Sequence, residues 1–178
     1  MTQYKIIFTG PVGAGKTTAI NSISDVPALK TEASASDMTK LKKATTTVAL
    51  DYGVITLDEG EKVHLYGTPG QERFGFMWDM LVHGAMGLVL LLDNTRPDPI
   101  NDMRFFLEAF KTFISETNIT IGITQMDLQN SPTLSDYRDQ LQRLGLSVTV
   151  LEIDARNKRD VSLLVRSALS SLNVSFAN

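Results

Sequence analysis

Apolar and polar positions fall into alternating blocks along the chain. Tyr4–Thr9 is an apolar run of strand length, and the glycine-rich segment behind it opens a helix that continues through about Ser24. Residues 25–44 are polar, with serine, threonine and lysine scattered without period, so the pattern predicts a mobile loop there. Thr47–Leu57 and Lys62–Tyr66 read as two strands joined by a turn at Asp58-Glu59-Gly60. Gly87–Leu92 is almost continuously apolar, as a parallel strand buried on both faces must be. Beyond it the pattern predicts a helix near Pro99–Ser115, a strand at Ile119–Thr124 and a helix near Leu134–Leu144. A strand at Ser147–Ile153 and a helix near Arg159–Leu172 follow. Strands separated by helices require right-handed crossovers. The expected fold is therefore α/β, a mostly parallel six-stranded sheet with helices on both faces. The one hairpin is expected to place an antiparallel strand at an edge.

Composition narrows the function classes. A chain of 178 residues with 43% hydrophobic and 21% charged residues suits one globular domain over residues 1–178. A net charge of −3 gives no electrostatic ground for nucleic acid as a partner. The absence of cysteine excludes disulfides, thiolate metal sites and lipidation at cysteine, and Met1-Thr2 offers no myristoyl acceptor. No apolar run approaches the roughly 18 residues of a membrane helix, and the opening stretch is too short for a secretory signal. A cytoplasmic protein without its own membrane anchor is the expectation. His64 and His83 are too isolated to suggest a metal site, and Lys40, Lys42 and Lys43 read as a solvated loop.

The strongest local chemistry is Gly10-Pro11-Val12-Gly13-Ala14-Gly15-Lys16-Thr17, which fits G-x-x-x-x-G-K-[ST] between an apolar strand and a helix. Glycines at this spacing let backbone N–H groups converge on phosphate oxygens, and the helix N-terminus adds partial positive charge. Lys16 is expected to reach the β- and γ-phosphates, and the Thr17 hydroxyl to ligate Mg²⁺.

Three further segments decide among phosphate-loop proteins. Gly67-Thr68-Pro69-Gly70-Gln71-Glu72-Arg73-Phe74 resembles the switch II segment of Ras-like small GTPases. Thr124-Gln125-Met126-Asp127 resembles their guanine-specifying motif, and Asp154-Ala155-Arg156 their Ser-Ala-Lys loop. Thr47-Val48-Ala49-Leu50-Asp51-Tyr52 is similar to a switch I pattern. Across nearly the whole chain the resemblance implies a G domain that binds GTP and GDP with Mg²⁺. It implies nucleotide contacts from Gly10, Gly13–Thr18, Thr47, Gly70, Thr124, Gln125, Asp127, Asp154, Ala155 and Arg156. Metal ligands are then Thr17 and Thr47, and the catalytic residues Gln71 and Lys16.

The chain departs from the family in three places. Gly67 replaces the switch II aspartate, a loss that Asp51 or Asp93 could make good. Gln125 replaces the base-packing lysine, and Val12 replaces a glycine near the attacking water. Loss of that aspartate with retention of Pro-Gly-Gln resembles bacterial Ras-like GTPases of the gliding-polarity type. That likeness implies a protein partner, of the small roadblock class, docking on Phe74–Val82. Slow GTP hydrolysis with switch signalling is the leading expectation. The alternatives are a GTP-binding module with negligible hydrolysis and a phosphate-loop ATPase or kinase.

Overall fold

The apolar runs form the centre of one twisted sheet, and their alternation sorts the two faces. In a strand, successive side chains point to opposite sides. Ile6 and Phe8 of the first strand, and Val89 and Leu91 of a later one, therefore enter one buried cluster. Ile7, Leu88, Leu90 and Leu92 enter the other. The computed structural model describes residues 3–27, 29–34, 47–57, 60–70 and 75–170.

The elements are β1 (Gln3–Thr9), α1 (Lys16–Ile23), β2 (Leu29–Ser34), β3 (Thr47–Thr56), β4 (Lys62–Gly67) and α2 (Gly75–Val82). They continue with β5 (Gly87–Asp93), α3 (Pro99–Ala109), α4 (Lys111–Glu116), β6 (Asn118–Thr124), α5 (Leu134–Arg143), β7 (Thr149–Glu152) and α6 (Lys158–Ala168). Among the described residues the sheet has 7 strands in the order β2-β3-β4-β1-β5-β6-β7. β3 runs antiparallel to β2 and β4, and the remaining pairs are parallel. Ala19, Ile20 and Ile23 of α1 and Val161, Leu164 and Val165 of α6 cover one face. Trp78 of α2, Met103 and Phe106 of α3, and Tyr137 and Leu141 of α5 cover the other. Among the described residues no helix is long and apolar enough to cross a membrane.

The α/β fold is the expected one, with three differences. Leu29–Ser34, expected to be loop, is a strand that pairs residue for residue with Tyr52–Thr47. β3 offers an open edge, and its backbone N–H and C=O groups recruit a segment whose own pattern is weak. The antiparallel strand is consequently internal, and the sheet has one strand more than the pattern indicated. The helix expected over Pro99–Ser115 breaks at Phe110, whose φ of −103° ends α3 and begins α4. The hairpin turn closes through Gly60, at φ 77°, whose N–H donates to the Leu57 carbonyl at 3.0 Å.

Candidate functional site

The C-terminal ends of the parallel strands, where open α/β sheets bind ligands, carry the chemistry here. β1 passes into the glycine loop at Gly10. Its φ is 137°, and a Cβ there would lie 2.0 Å from the Leu91 carbonyl oxygen, so only glycine fits. Gly15 caps α1 without any side-chain hydrogen bond, which leaves the first N–H groups of the helix for a ligand. Lys16 is 8% exposed and donates to the carbonyls of Gly10 and Pro11, each at 2.7 Å. Burial holds its ammonium down at about 8; the nearby Arg96 charge acts in the same direction and Asp51 opposes both.

Thr17 donates from its hydroxyl to the Asp51 carboxylate at 2.5 Å. Asp51 lies on β3 directly opposite Gly67 of β4. A Cβ on Gly67 would meet Asp51 Cβ at 3.0 Å and its Oδ2 at 3.2 Å, so the Asp51 side chain fills the space that residue 67 leaves open. Asp93 is engaged elsewhere: its carboxylate accepts from the Thr95 N–H and hydroxyl at 2.8 and 2.6 Å. Of the two carboxylates considered from sequence, Asp51 is therefore the one facing the phosphate loop. A hydroxyl backed by a carboxylate, both hard oxygen donors, fits Mg²⁺, which commonly takes one or two protein groups directly and completes its shell with water and phosphate.

After β4 the chain returns over the loop. Thr68 donates from its hydroxyl to Thr9 Oγ1 at 2.9 Å, and its N–H bonds the Phe8 carbonyl at 2.8 Å. Gly70 sits so close that a Cβ would lie 2.6 Å from the Val12 nitrogen and 2.9 Å from Lys16 Nζ. Gln71, Arg73 and Phe74 lie outside the described residues. Thr47 is the first residue of β3, paired with Ser34. Its side chain, like Lys40, Lys42 and Lys43, lies outside what is described. Trp78, expected on a docking surface, is 4% exposed instead. It stacks on Phe110 at 5.2 Å and donates from Nε1 to the Pro69 carbonyl at 3.2 Å. An aromatic ring whose N–H finds a carbonyl packs more favourably inside than on the surface. Met77 is buried too, and Met80 of α2 is 46% exposed.

On the other side of the loop is a cavity of about 810 Å³. Gly13, Ala14, Gly15, Thr18, Thr124, Gln125, Asp127, Asp154, Ala155 and Arg156 all line it, so the segments singled out in the sequence converge here. Thr124 ties them together, its hydroxyl reaching the Ala14 carbonyl at 3.2 Å and the Leu92 carbonyl at 3.1 Å. Gln125 adopts φ 59°, a left-handed turn that leads to the exposed Asp127. Arg156 grips Asp154 through Nε at 2.9 Å and NH2 at 2.7 Å, and this pairing holds the Asp154 carboxyl down at about 2. What sequence reading missed is Asn94 and Tyr137, buried behind this loop. No ligand-facing motif marks them.

This fold, with its glycine loop and the adjoining cavity, defines a nucleotide-binding P-loop NTPase. Distant relatives agree. The Ras-related protein Rab-8B of Bos taurus is 24% identical over 179 residues, covering 96% of this chain and 80% of its own length. The Ras-related protein Rab-13 of Canis lupus familiaris is 24% identical over 174 residues, 96% of this chain and 74% of its own length. An uncharacterized protein of Methanocaldococcus jannaschii is 30% identical over 94 residues, and the match spans only 53% of its length. The family described as "Conserved hypothetical ATP binding protein" matches residues 25–176, and the chain belongs to it.

Proposed function

We propose that this chain is a guanine-nucleotide switch that binds GTP and GDP with Mg²⁺, hydrolyses GTP slowly and signals to a protein partner. The observation that carries the reading is the convergence of Asp127 and the Asp154–Arg156 loop on the cavity beside Gly13–Gly15. A carboxylate there accepts from both N1–H and the 2-amino group of guanine, a donor pair that adenine lacks. Thr17, assisted by Asp51 and by Thr47, would hold the magnesium ion. When bound, it supplies positive charge against the β- and γ-phosphate oxygens.

The chemistry is in-line attack of water on the γ-phosphorus. The new P–O bond forms as the bond to the β-phosphate oxygen breaks, and GDP leaves with that electron pair. Gln71 orients the water. Lys16 gives up the Gly10 and Pro11 carbonyls and takes the phosphates, so charge on the equatorial oxygens is met by a cation already in place. Val12, 58% exposed on the loop, crowds the water's approach and keeps turnover at or below the order of 10⁻⁴ s⁻¹ of an unassisted small GTPase. Loss of the γ-phosphate frees the Thr68–Gly70 segment, and the partner reads that change. By likeness to the gliding-polarity group, the partner is a small roadblock-type protein.

A second reading, ATP as the nucleotide, is favoured by the family's description and by Gln125 in place of a base-packing lysine. Calorimetric titration of the nucleotide-stripped chain with GDP, GTP and ATP, with and without Mg²⁺, separates the two. Guanine nucleotides binding at least tenfold more tightly support the first reading, and ATP binding equally well ends it. Single-turnover hydrolysis of GTP then distinguishes a slow switch from a binding module that does not turn over.

A further inference from the structure

The turn that carries Asp127 is held from behind, by residues that do not line the cavity. Asn94, just after β5, is 0% exposed. Its backbone N–H donates to the Thr124 carbonyl at 3.0 Å. Its side-chain nitrogen donates to the carbonyls of Gln129 and Pro132 at 2.5 and 3.0 Å. Its side-chain oxygen accepts from the Tyr137 hydroxyl at 2.7 Å, and Tyr137 on α5 is also 0% exposed. The buried side-chain amide thus spends both hydrogens on the carbonyls that follow Asp127 and an oxygen lone pair on Tyr137, while the Asn94 backbone N–H holds the strand end that precedes it. Within the turn, the N–H groups of Leu128 and Gln129 both bond the Gln125 carbonyl at 3.2 Å. A turn this short takes its direction from whatever fixes its ends.

We infer that Asn94 and Tyr137 are positioning residues for nucleobase recognition, holding the Gln125–Pro132 turn in the register that aims the Asp127 carboxylate at the base. The inference rests on the reading of this cavity as a guanine site. A purely structural role, two buried polar groups satisfying each other, leads to different measurements. A positioning role changes base preference and leaves phosphate binding alone; a structural one weakens both together or neither.

The test uses the full chain, stripped of nucleotide, with Tyr137→Phe and Asn94→Asp. Tyr137→Phe removes one hydroxyl from the core. Asn94→Asp keeps the shape but cannot donate to the Gln129 and Pro132 carbonyls. GDP, ADP and inorganic pyrophosphate are titrated in Mg²⁺; pyrophosphate reports the phosphate loop, and the GDP-to-ADP ratio reports the base. Loss of one buried hydrogen bond predicts that Tyr137→Phe lowers GDP affinity and the GDP-to-ADP preference by roughly three- to tenfold, with pyrophosphate unchanged. Asn94→Asp lowers them further, and if it does not fold, Tyr137→Phe decides alone. An unchanged preference, or pyrophosphate affinity falling in step with GDP, overturns the inference. If the unsubstituted chain does not distinguish GDP from ADP, the guanine reading itself fails. Amide exchange then decides the positioning role: faster exchange at Met126–Gln129 in Tyr137→Phe supports it, and unchanged exchange overturns it.

Discussion

At the scale of single residues, the phosphate loop is governed by two charges. Asp51 occupies the space beside Gly67 and accepts the Thr17 hydroxyl at 2.5 Å, so it would orient Thr17 as a metal ligand from the outer shell. Outer-shell partners of this kind are worth about 10–100-fold in metal affinity. Asp51→Ala is therefore expected to weaken Mg²⁺-dependent GDP binding by about that factor and to leave metal-free binding unchanged, as calorimetry across a Mg²⁺ series would show. Gly67→Asp introduced into Asp51→Ala should recover part of the loss, because a residue 67 side chain would enter the vacated space. Lys16 is the second charge. Its ordinary value of 10.5 is lowered to about 8 by burial, so the folded, ligand-free chain binds fewer protons than the unfolded one between those values. Stability of the free protein should accordingly rise from pH 8 towards 10.5, the burial of a charged ammonium being unfavourable below that window. Phosphate requires the charged lysine, so nucleotide affinity should be flat below pH 8 and fall about tenfold per unit above it. Titrations at pH 7, 8 and 9 check the slope, and a flat response would mean that Lys16 stays charged throughout.

At the scale of elements, α2 and α5 do different work. Trp78 fastens α2 to α3 and its junction with α4, its ring tilted against Phe106 and stacked on Phe110, and its N–H holds the Pro69 carbonyl. Trp78→Phe keeps most of the apolar burial but leaves that carbonyl without its donor. It should cost about 1–3 kcal/mol in chemical denaturation and loosen the Thr68–Gly70 return over the phosphate loop. α5 starts with a capping box, in which Thr133 Oγ1 accepts the Asp136 N–H and Asp136 accepts the Thr133 N–H. Thr133→Ala should cost about 1 kcal/mol by the same measurement. Such features explain what could be read from sequence. Apolar runs such as Gly87–Leu92 and the glycine loop are local signals, and they placed the sheet's centre and the loop between β1 and α1. β2 was illegible because Leu29–Ser34 pairs through backbone groups with the open edge of β3, which no pattern of its own announces. The break at Phe110 was hidden because Phe106 and Phe110 sit one helical turn apart and continue the apolar period. The contact between Thr17 and Asp51 depends on strand register, and the burial of Trp78 on how α2 lies against α3. Neither is a property of a segment read alone.

At the scale of the whole molecule, the site joins parts of the chain that are far apart in sequence. The cavity is walled by the loop after β1, the turn after β6 and the loop after β7, with Thr124 bonded to both Ala14 and Leu92 between them. A nucleotide that bridges these walls binds the folded state alone, since the unfolded chain has no such constellation. Ligand at about 100 times its Kd then stabilises the fold by about 2.7 kcal/mol. For a chain of this size that corresponds to a rise of about 5–11 °C in the unfolding midpoint. The rise should be seen with GDP and be far smaller with the same concentration of ADP. It should also shrink as the pH is taken from 7 to 9, because discharge of Lys16 removes affinity as it stabilises the free fold. Amide exchange offers the spatial counterpart: GDP should slow exchange in Gly13–Thr18, Gln125–Gln129 and Asp154–Arg156 together. Pyrophosphate touches only the first wall and should slow exchange only there. Protection of the glycine loop alone by both ligands would mean that the base never reaches the far walls, and the switch reading would lose its specificity element while the phosphate site stood.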